Sequence, residues 1–86
     1  MKKLVCIVVL LFSVGATSQE VDKLFAEGNT FYKEENYTRA VGVYLAIEEQ
    51  GMESDDLFFN IANCYYKMNK VAPAIYYYEK ALKINP

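Results

Sequence analysis

The side chains that could carry out chemistry are three acidic pairs and two cysteines, because the sequence contains no histidine. The acidic pairs are Glu34-Glu35, Glu48-Glu49 and Asp55-Asp56. Two carboxylates could act as acid and base or hold calcium, but neighbours on a helix point about 100° apart, and no pair lies in the Asx-rich loop that calcium needs. The absence of histidine removes most catalytic triads and zinc sites. We predict no enzyme activity, no catalytic residue, no metal site and no cofactor.

The two cysteines and the overall charge narrow the function further. Cys6 lies in an apolar run, and Cys64 lies where we expect a buried helical position. A lone buried thiol is more often a small apolar core residue than a nucleophile or half of a disulfide. The formal net charge of the 86 residues is −2, which argues against nucleic-acid binding through a basic patch.

Residues 1–18 are typical of a secretory signal peptide. Two lysines follow Met1, the run 4–12 is apolar without interruption, and small residues precede position 19. The alternative is an uncleaved membrane anchor, but a spanning helix needs about 20 apolar residues, and this run extends to Ala16 at most. We predict cleavage after Ser18, export, and a location in the periplasm or at the periplasmic side of a membrane.

The remaining residues contain two copies of one pattern, 34 residues apart and without a gap. The identical pairs are Asn29 and Asn63, Tyr32 and Tyr66, Lys33 and Lys67, Ala40 and Ala74, and Tyr44 and Tyr78. A period of 34 is that of a repeated pair of helices. We therefore predict an all-α fold, an α-solenoid of two helix-turn-helix units over 19–54 and 55–86.

Apolar spacing and turn residues predict the four helices of these units. Their expected ranges are 21–34, 38–49, 54–68 and 73–84. Asn36 and Asn69 should separate the helices within each unit, and Gly51 should close the second helix. The small residues at Gly28 and Ala40, and at Ala62 and Ala74, mark the points where two antiparallel helices can approach closely.

Residues 57–86 resemble a tetratricopeptide repeat. The eight signature places of that family hold Phe58, Ile61, Ala62, Tyr65, Ala74, Tyr78, Ala81 and Pro86. The earlier unit has Leu24, Gly28, Phe31, Ala40, Tyr44 and Ile47 in place, but it has Glu27 where the family has an apolar residue and Met52 where it has proline. The resemblance covers everything after residue 20, and it implies a module that binds other proteins.

The sequence of residues 65–82 is also similar to that of BatE-type proteins of the Bacteroides aerotolerance system. That resemblance implies an exported repeat protein that works in a complex with membrane-bound partners. It further implies a role in oxygen tolerance. The alternative is a structural spacer in a larger membrane-associated protein, whose repeats hold other domains apart without binding peptides.

A second stripe on the first helix of each unit predicts a concave protein-binding strip. The strip consists of Phe25, Asn29, Tyr32, Lys33, Phe59, Asn63, Tyr66 and Lys67. Rings beside amide and ammonium donors suit an extended peptide. The resemblance adds Asn60, because relatives that clamp a carboxylate use asparagines at the places of Asn29 and Asn60. They also use a lysine at the place of Phe25, so its absence argues against such a clamp.

Two alternatives concern the surfaces that the repeats leave exposed. Phe25 and Phe59 could pack between neighbouring units and not contact a ligand. The last helix also presents Ile75 and Leu82 without a predicted neighbour. We therefore expect the sequence either to be the front part of a longer protein or to self-associate through this helix.

Overall fold

The computed structural model describes residues 17–86, so residues 1–16 of the predicted signal peptide lie outside the described part. This part contains four helices and no strand: α1 (Ser18–Lys33), α2 (Tyr37–Glu49), α3 (Asp55–Lys67) and α4 (Val71–Ile84). The main packing contacts join α1 to α2, α2 to α3 and α3 to α4. The predicted all-α fold of paired helices is confirmed.

Three helices, α1, α2 and α4, begin earlier than the sequence predicted. The Thr17 hydroxyl accepts a hydrogen bond from the Glu20 backbone N–H at 3.2 Å, so α1 begins at Ser18 and not near residue 21. The helix therefore includes the predicted cleavage point. At the first turn Glu35, not Asn36, takes the left-handed conformation, with a φ of 62°. Asn36 instead caps α2 by accepting from the Arg39 N–H.

The second unit begins and turns as predicted. The Ser54 hydroxyl accepts from the Leu57 N–H at 3.0 Å, and Asn69 forms the turn after α3 with a φ of 61°. The fourth helix starts at Val71, two residues before Pro73. Proline is still tolerated there, because the backbone donors of a first turn have no partner within the helix.

The core lies between the helices of each unit and between the two units. Its buried residues are Ala40, Val41, Tyr44, Ile47, Leu57, Phe58, Ile61, Cys64 and Ala81. At Gly28 the helices α1 and α2 approach closely, because an added Cβ would lie 2.5 Å from Cε1 of Tyr44. The predicted close approach of two helices at Gly28 is therefore confirmed, and the group that faces Gly28 is the buried ring of Tyr44.

An ion pair joins the second helices of the two units. The Lys80 ammonium donates to Glu48 at 2.7 Å, and the Tyr77 hydroxyl donates to the other oxygen of the same carboxylate at 2.7 Å. The Lys80 Nζ also lies 4.4 Å from the ring centroid of Phe58. Burial opposes ionisation of Glu48, but the hydrogen bonds outweigh it and lower the pKa of this carboxyl.

Cys64 is a free and fully buried thiol of α3. Burial raises the pKa of this thiol to about 11, so it stays protonated at neutral pH. The prediction that Cys64 is an apolar core residue is confirmed.

A candidate groove for peptide binding

A groove between the two units collects five of the nine predicted strip residues. Its cavity has a volume of about 210 Å³ and is lined by Asn29, Tyr32, Lys33, Tyr44, Asn60 and Asn63. The C-terminal half of α1 supplies three of these side chains, and the middle of α3 supplies both later asparagines. Side chains of the first helices of both units therefore line the same cavity.

A tyrosine of the second helix fixes the groove asparagine in each unit. Tyr44 Oη donates to Asn29 Oδ1 at 2.6 Å, and Tyr78 Oη donates to Asn63 Oδ1 at 2.5 Å. Each bond consumes the amide oxygen and leaves the Nδ2 group with its two protons. Within residues 17–86 neither Nδ2 donates a hydrogen bond to the protein. Both asparagines line the groove, so their amide N–H groups are available to a ligand that accepts hydrogen bonds.

The electrostatics of the tyrosines keep this arrangement intact at neutral pH. Burial raises the pKa of Tyr44 to about 12 and also raises the pKa of Tyr78. Both hydroxyls therefore remain protonated donors. These bonds were not predicted, although a signal for them was present in the sequence: both the asparagine and the tyrosine recur unchanged, 15 residues apart in each unit.

The other four strip residues lie outside this groove. Phe25 is half-buried and packs against the Tyr44 ring, with 5.6 Å between the ring centroids. Phe59 is 51% exposed and packs against the Tyr78 ring, with 5.5 Å between the ring centroids. Tyr66 and Lys67 are exposed at the end of α3. The strip is thus divided, and Phe25 packs against a ring of its own unit.

Phe59 lines a second cavity, of about 230 Å³, beside α4. Its wall is formed by Phe59, Tyr78, Ala81 and Leu82, with Asp55, Asp56 and Asn85 at one end. The Asn85 amide donates to Asp55 at 2.9 Å, and this hydrogen bond lowers the pKa of the Asp55 carboxyl. An apolar wall with an acidic end differs chemically from the polar groove between the units.

Residues 56–86 match the family model of the tetratricopeptide repeat. This match supports a tetratricopeptide repeat protein, and such a repeat is a module for protein–protein interaction. The matched segment contains nearly all of α3 and the whole of α4. No curated protein matches the chain.

The signature places of the tetratricopeptide repeat form the contacts inside each unit. In the second unit Phe58, Ile61, Ala62, Ala74 and Ala81 are buried, Tyr65 and Tyr78 are half-buried, and Pro86 is exposed. In the first unit Gly28, Ala40 and Tyr44 are buried, and Leu24 and Phe31 are half-buried. These residues therefore build the scaffold that positions the groove.

None of the helices within 17–86 is both long and apolar enough to cross a membrane. The same residues contain no group of three acidic, cysteine or histidine side chains that could hold a metal ion.

Proposed function

We propose that the protein binds an extended segment of another protein in the groove between its two units. The observation that carries this proposal is the pair of asparagine amides, each held through its oxygen by a tyrosine hydroxyl. Two fixed N–H donors suit the carbonyl groups of an extended backbone, because a preorganised donor loses little conformational freedom on binding. The Tyr32 ring adds apolar contact area, and Lys33 adds a positive charge.

The test separates the donor role of the two amides from their structural role. Asn29→Asp with Asn63→Asp keeps an oxygen that accepts from Tyr44 or Tyr78, but it removes both donors and adds two negative charges. A matched control makes the same change at Asn36 and Asn69, outside the groove. Aspartate suits both control places, since it caps helices and tolerates a left-handed turn.

Ligands for this test come from selection of a random peptide library displayed on phage against the full chain. Fluorescence anisotropy then gives the Kd of each enriched peptide. We expect the groove variant to bind at least about tenfold more weakly, because two charge-free donors are replaced by acceptors facing the peptide carbonyls, and the control variant to bind like the wild type. If no peptide is enriched, or if both variants bind equally well, the groove is not a peptide site and the spacer function is favoured.

We further propose that the protein is exported and works at the periplasmic side of a membrane, in a complex related to oxygen tolerance. The composition of residues 1–18 supports export, and the resemblance of residues 65–82 to BatE-type proteins supports the complex and its role. Deletion of the gene in the native cell should reduce survival after exposure to air, and restoring the gene should recover it. Unchanged survival of the deletion strain would refute the role in oxygen tolerance.

A further inference from the structure

The two units bury equivalent positions to very different extents. Val41 of α2 is 7% exposed, whereas Ile75, at the same place in α4, is 52% exposed. Phe25 is half-buried, whereas Phe59 is 51% exposed. We call the set Phe59, Ile75, Tyr78 and Leu82 the terminal face; Tyr78 is half-buried, and the other three are exposed. The corresponding face of the first unit is covered by the second unit, so the repeat itself shows what kind of element fits there.

The element that covers the first unit is the amphipathic helix α3. Leu57, Ile61 and Cys64 lie at positions i, i+4 and i+7 of this helix, and all three are fully buried. They belong to the same buried cluster as Val41 and Tyr44 of the first unit. An i, i+4, i+7 stripe is the pattern by which a helix places one apolar face against a neighbour.

One position makes the terminal face more apolar than its counterpart. The place that Glu48 occupies in α2 is held in α4 by Leu82, which is 57% exposed. Glu48 accepts hydrogen bonds from Lys80 and Tyr77, whereas a leucine can only pack. The cavity beside Leu82 therefore fits aliphatic side chains, and Leu82 cannot form hydrogen bonds like those of Glu48 between the two units.

Charge distinguishes between the partners that could bring such a helix. Asp55 and Asp56 lie at one end of the cavity. The sequence carries eleven acidic and nine basic side chains, a formal net charge of −2. A second copy would approach with the same acidic excess, and its own α3 begins with the same two aspartates. A helix with basic flanks would instead be attracted.

We propose that the terminal face is a docking site for a basic amphipathic helix that carries aliphatic residues at i, i+4 and i+7. The site lies on the side of α4 that the first unit does not contact, and it is separate from the groove of the proposed function. The ligand of the groove is an extended segment that accepts hydrogen bonds, whereas the ligand of the terminal face is helical and apolar.

The probe for this site is derived from α3, since α3 already covers the equivalent face. It is a helix-stabilised synthetic peptide of residues 54–68 in which Asp55 and Asp56 are replaced by lysine and Cys64 by alanine. A second peptide keeps both aspartates. Fluorescence anisotropy measures the binding of each labelled peptide to the full chain, and analytical ultracentrifugation measures self-association of the chain.

The two protein variants place one glutamate on or off the terminal face. Leu82→Glu lies on it, and Ile84→Glu, at an aliphatic residue that is 48% exposed on the same helix, lies outside the cavity. Because both sites are exposed, both variants should keep the circular dichroism spectrum of the wild type. We expect the basic peptide to bind Leu82→Glu at least about tenfold more weakly than wild type, because the variant lacks the leucine side chain that the bound peptide would bury. The affinity of the peptide for Ile84→Glu should lie within about twofold of the wild-type value.

The remaining outcomes decide against the proposal. Equal binding to the two variants, or no saturable binding to the wild type, would overturn the site. Tighter binding of the acidic peptide would overturn its charge preference. Self-association of the chain that Leu82→Glu abolishes, without peptide binding, would mean that the terminal face joins two copies. Asn29→Asp alone, whose partner Tyr44 is not part of the terminal face, should leave peptide binding at this face unchanged, so failure here is distinguishable from failure at the groove.

Discussion

Replacement of Gly28 by alanine tests the close approach of α1 to α2. An added Cβ would lie 2.5 Å from Cε1, 2.8 Å from Cδ1 and 2.9 Å from Cζ of Tyr44. Carbon atoms pack best at about 3.5 to 4.0 Å, so the ring and α1 would have to separate by about 1 Å. The ring cannot easily move outward, because it is buried, contacts Phe25 and donates to Asn29.

Two opposing effects set the size of the change in stability. Overpacking of this kind costs about 1 to 3 kcal/mol, whereas replacing a glycine inside a helix by alanine stabilises the helix by about 0.8 to 1 kcal/mol. The net expectation for Gly28→Ala is a loss of roughly 0 to 2 kcal/mol. Gly42→Ala is the matched control, since a Cβ at this helical position meets nothing within 4 Å. Gly42→Ala should therefore gain the helix stabilisation of alanine without the cost of overpacking.

Urea unfolding followed by circular dichroism at 25 °C measures the difference between the two variants. Both variants gain the same helix stabilisation, so this gain cancels in their difference. Gly42→Ala should therefore be more stable than Gly28→Ala by the cost of overpacking, about 1 to 3 kcal/mol. With a slope near 1 kcal/mol per molar urea for a chain of this size, the midpoints should differ by about 1 M or more. Equal stabilisation by both alanines would refute a close approach of α1 to Tyr44.

Two further predictions concern the ion pair and the chain start. Glu48→Gln should lower the free energy of unfolding at pH 7 by about 0.5 to 1.5 kcal/mol, whereas Glu49→Gln on the solvent side should change it little. Because the folded pKa of Glu48 is lowered, this stabilisation is present above the ordinary glutamate range and is lost as pH falls through the folded pKa. The loss should therefore fade in urea melts below about pH 4, and a loss independent of pH would contradict the ion-pair explanation. Mass spectrometry of protein recovered from the periplasm should find Gln19, or its cyclised form, at the N-terminus, and an intact Met1 would contradict cleavage.

The sequence predicted the four helices and the approach at Gly28 because both follow from spacing along the chain. Apolar periodicity identifies the side of a helix that is buried, and a recurring small residue marks where a neighbour comes close. Spacing cannot give the direction of a side chain across a helix crossing. Phe25 and Phe59 occupy equivalent places, yet Phe25 is half-buried and Phe59 is exposed, because within residues 17–86 only the first unit is covered by another unit.

The hydrogen bonds within the groove could be predicted only in part from the sequence. Recurrence of the asparagine and the tyrosine was visible in the sequence, but the contact between them depends on how α1 and α2 cross. The cap at Thr17 was missed for another reason, since small residues there also fit the pattern of a signal cleavage site. If cleavage does follow Ser18, α1 loses that cap, and its first turn should fray at a cost of about 1 kcal/mol.

The order of helix packing has a consequence for how the chain folds. Each helix packs mainly on the helices next to it in sequence, so most native contacts require closing only short loops. Such a topology favours rapid folding that can begin in either unit and spread to the other. The bond between Lys80 and Glu48 spans 32 residues and is one of the few polar links that require both units to be formed. It therefore helps the two halves to unfold together, where neighbour contacts alone would let one half melt first.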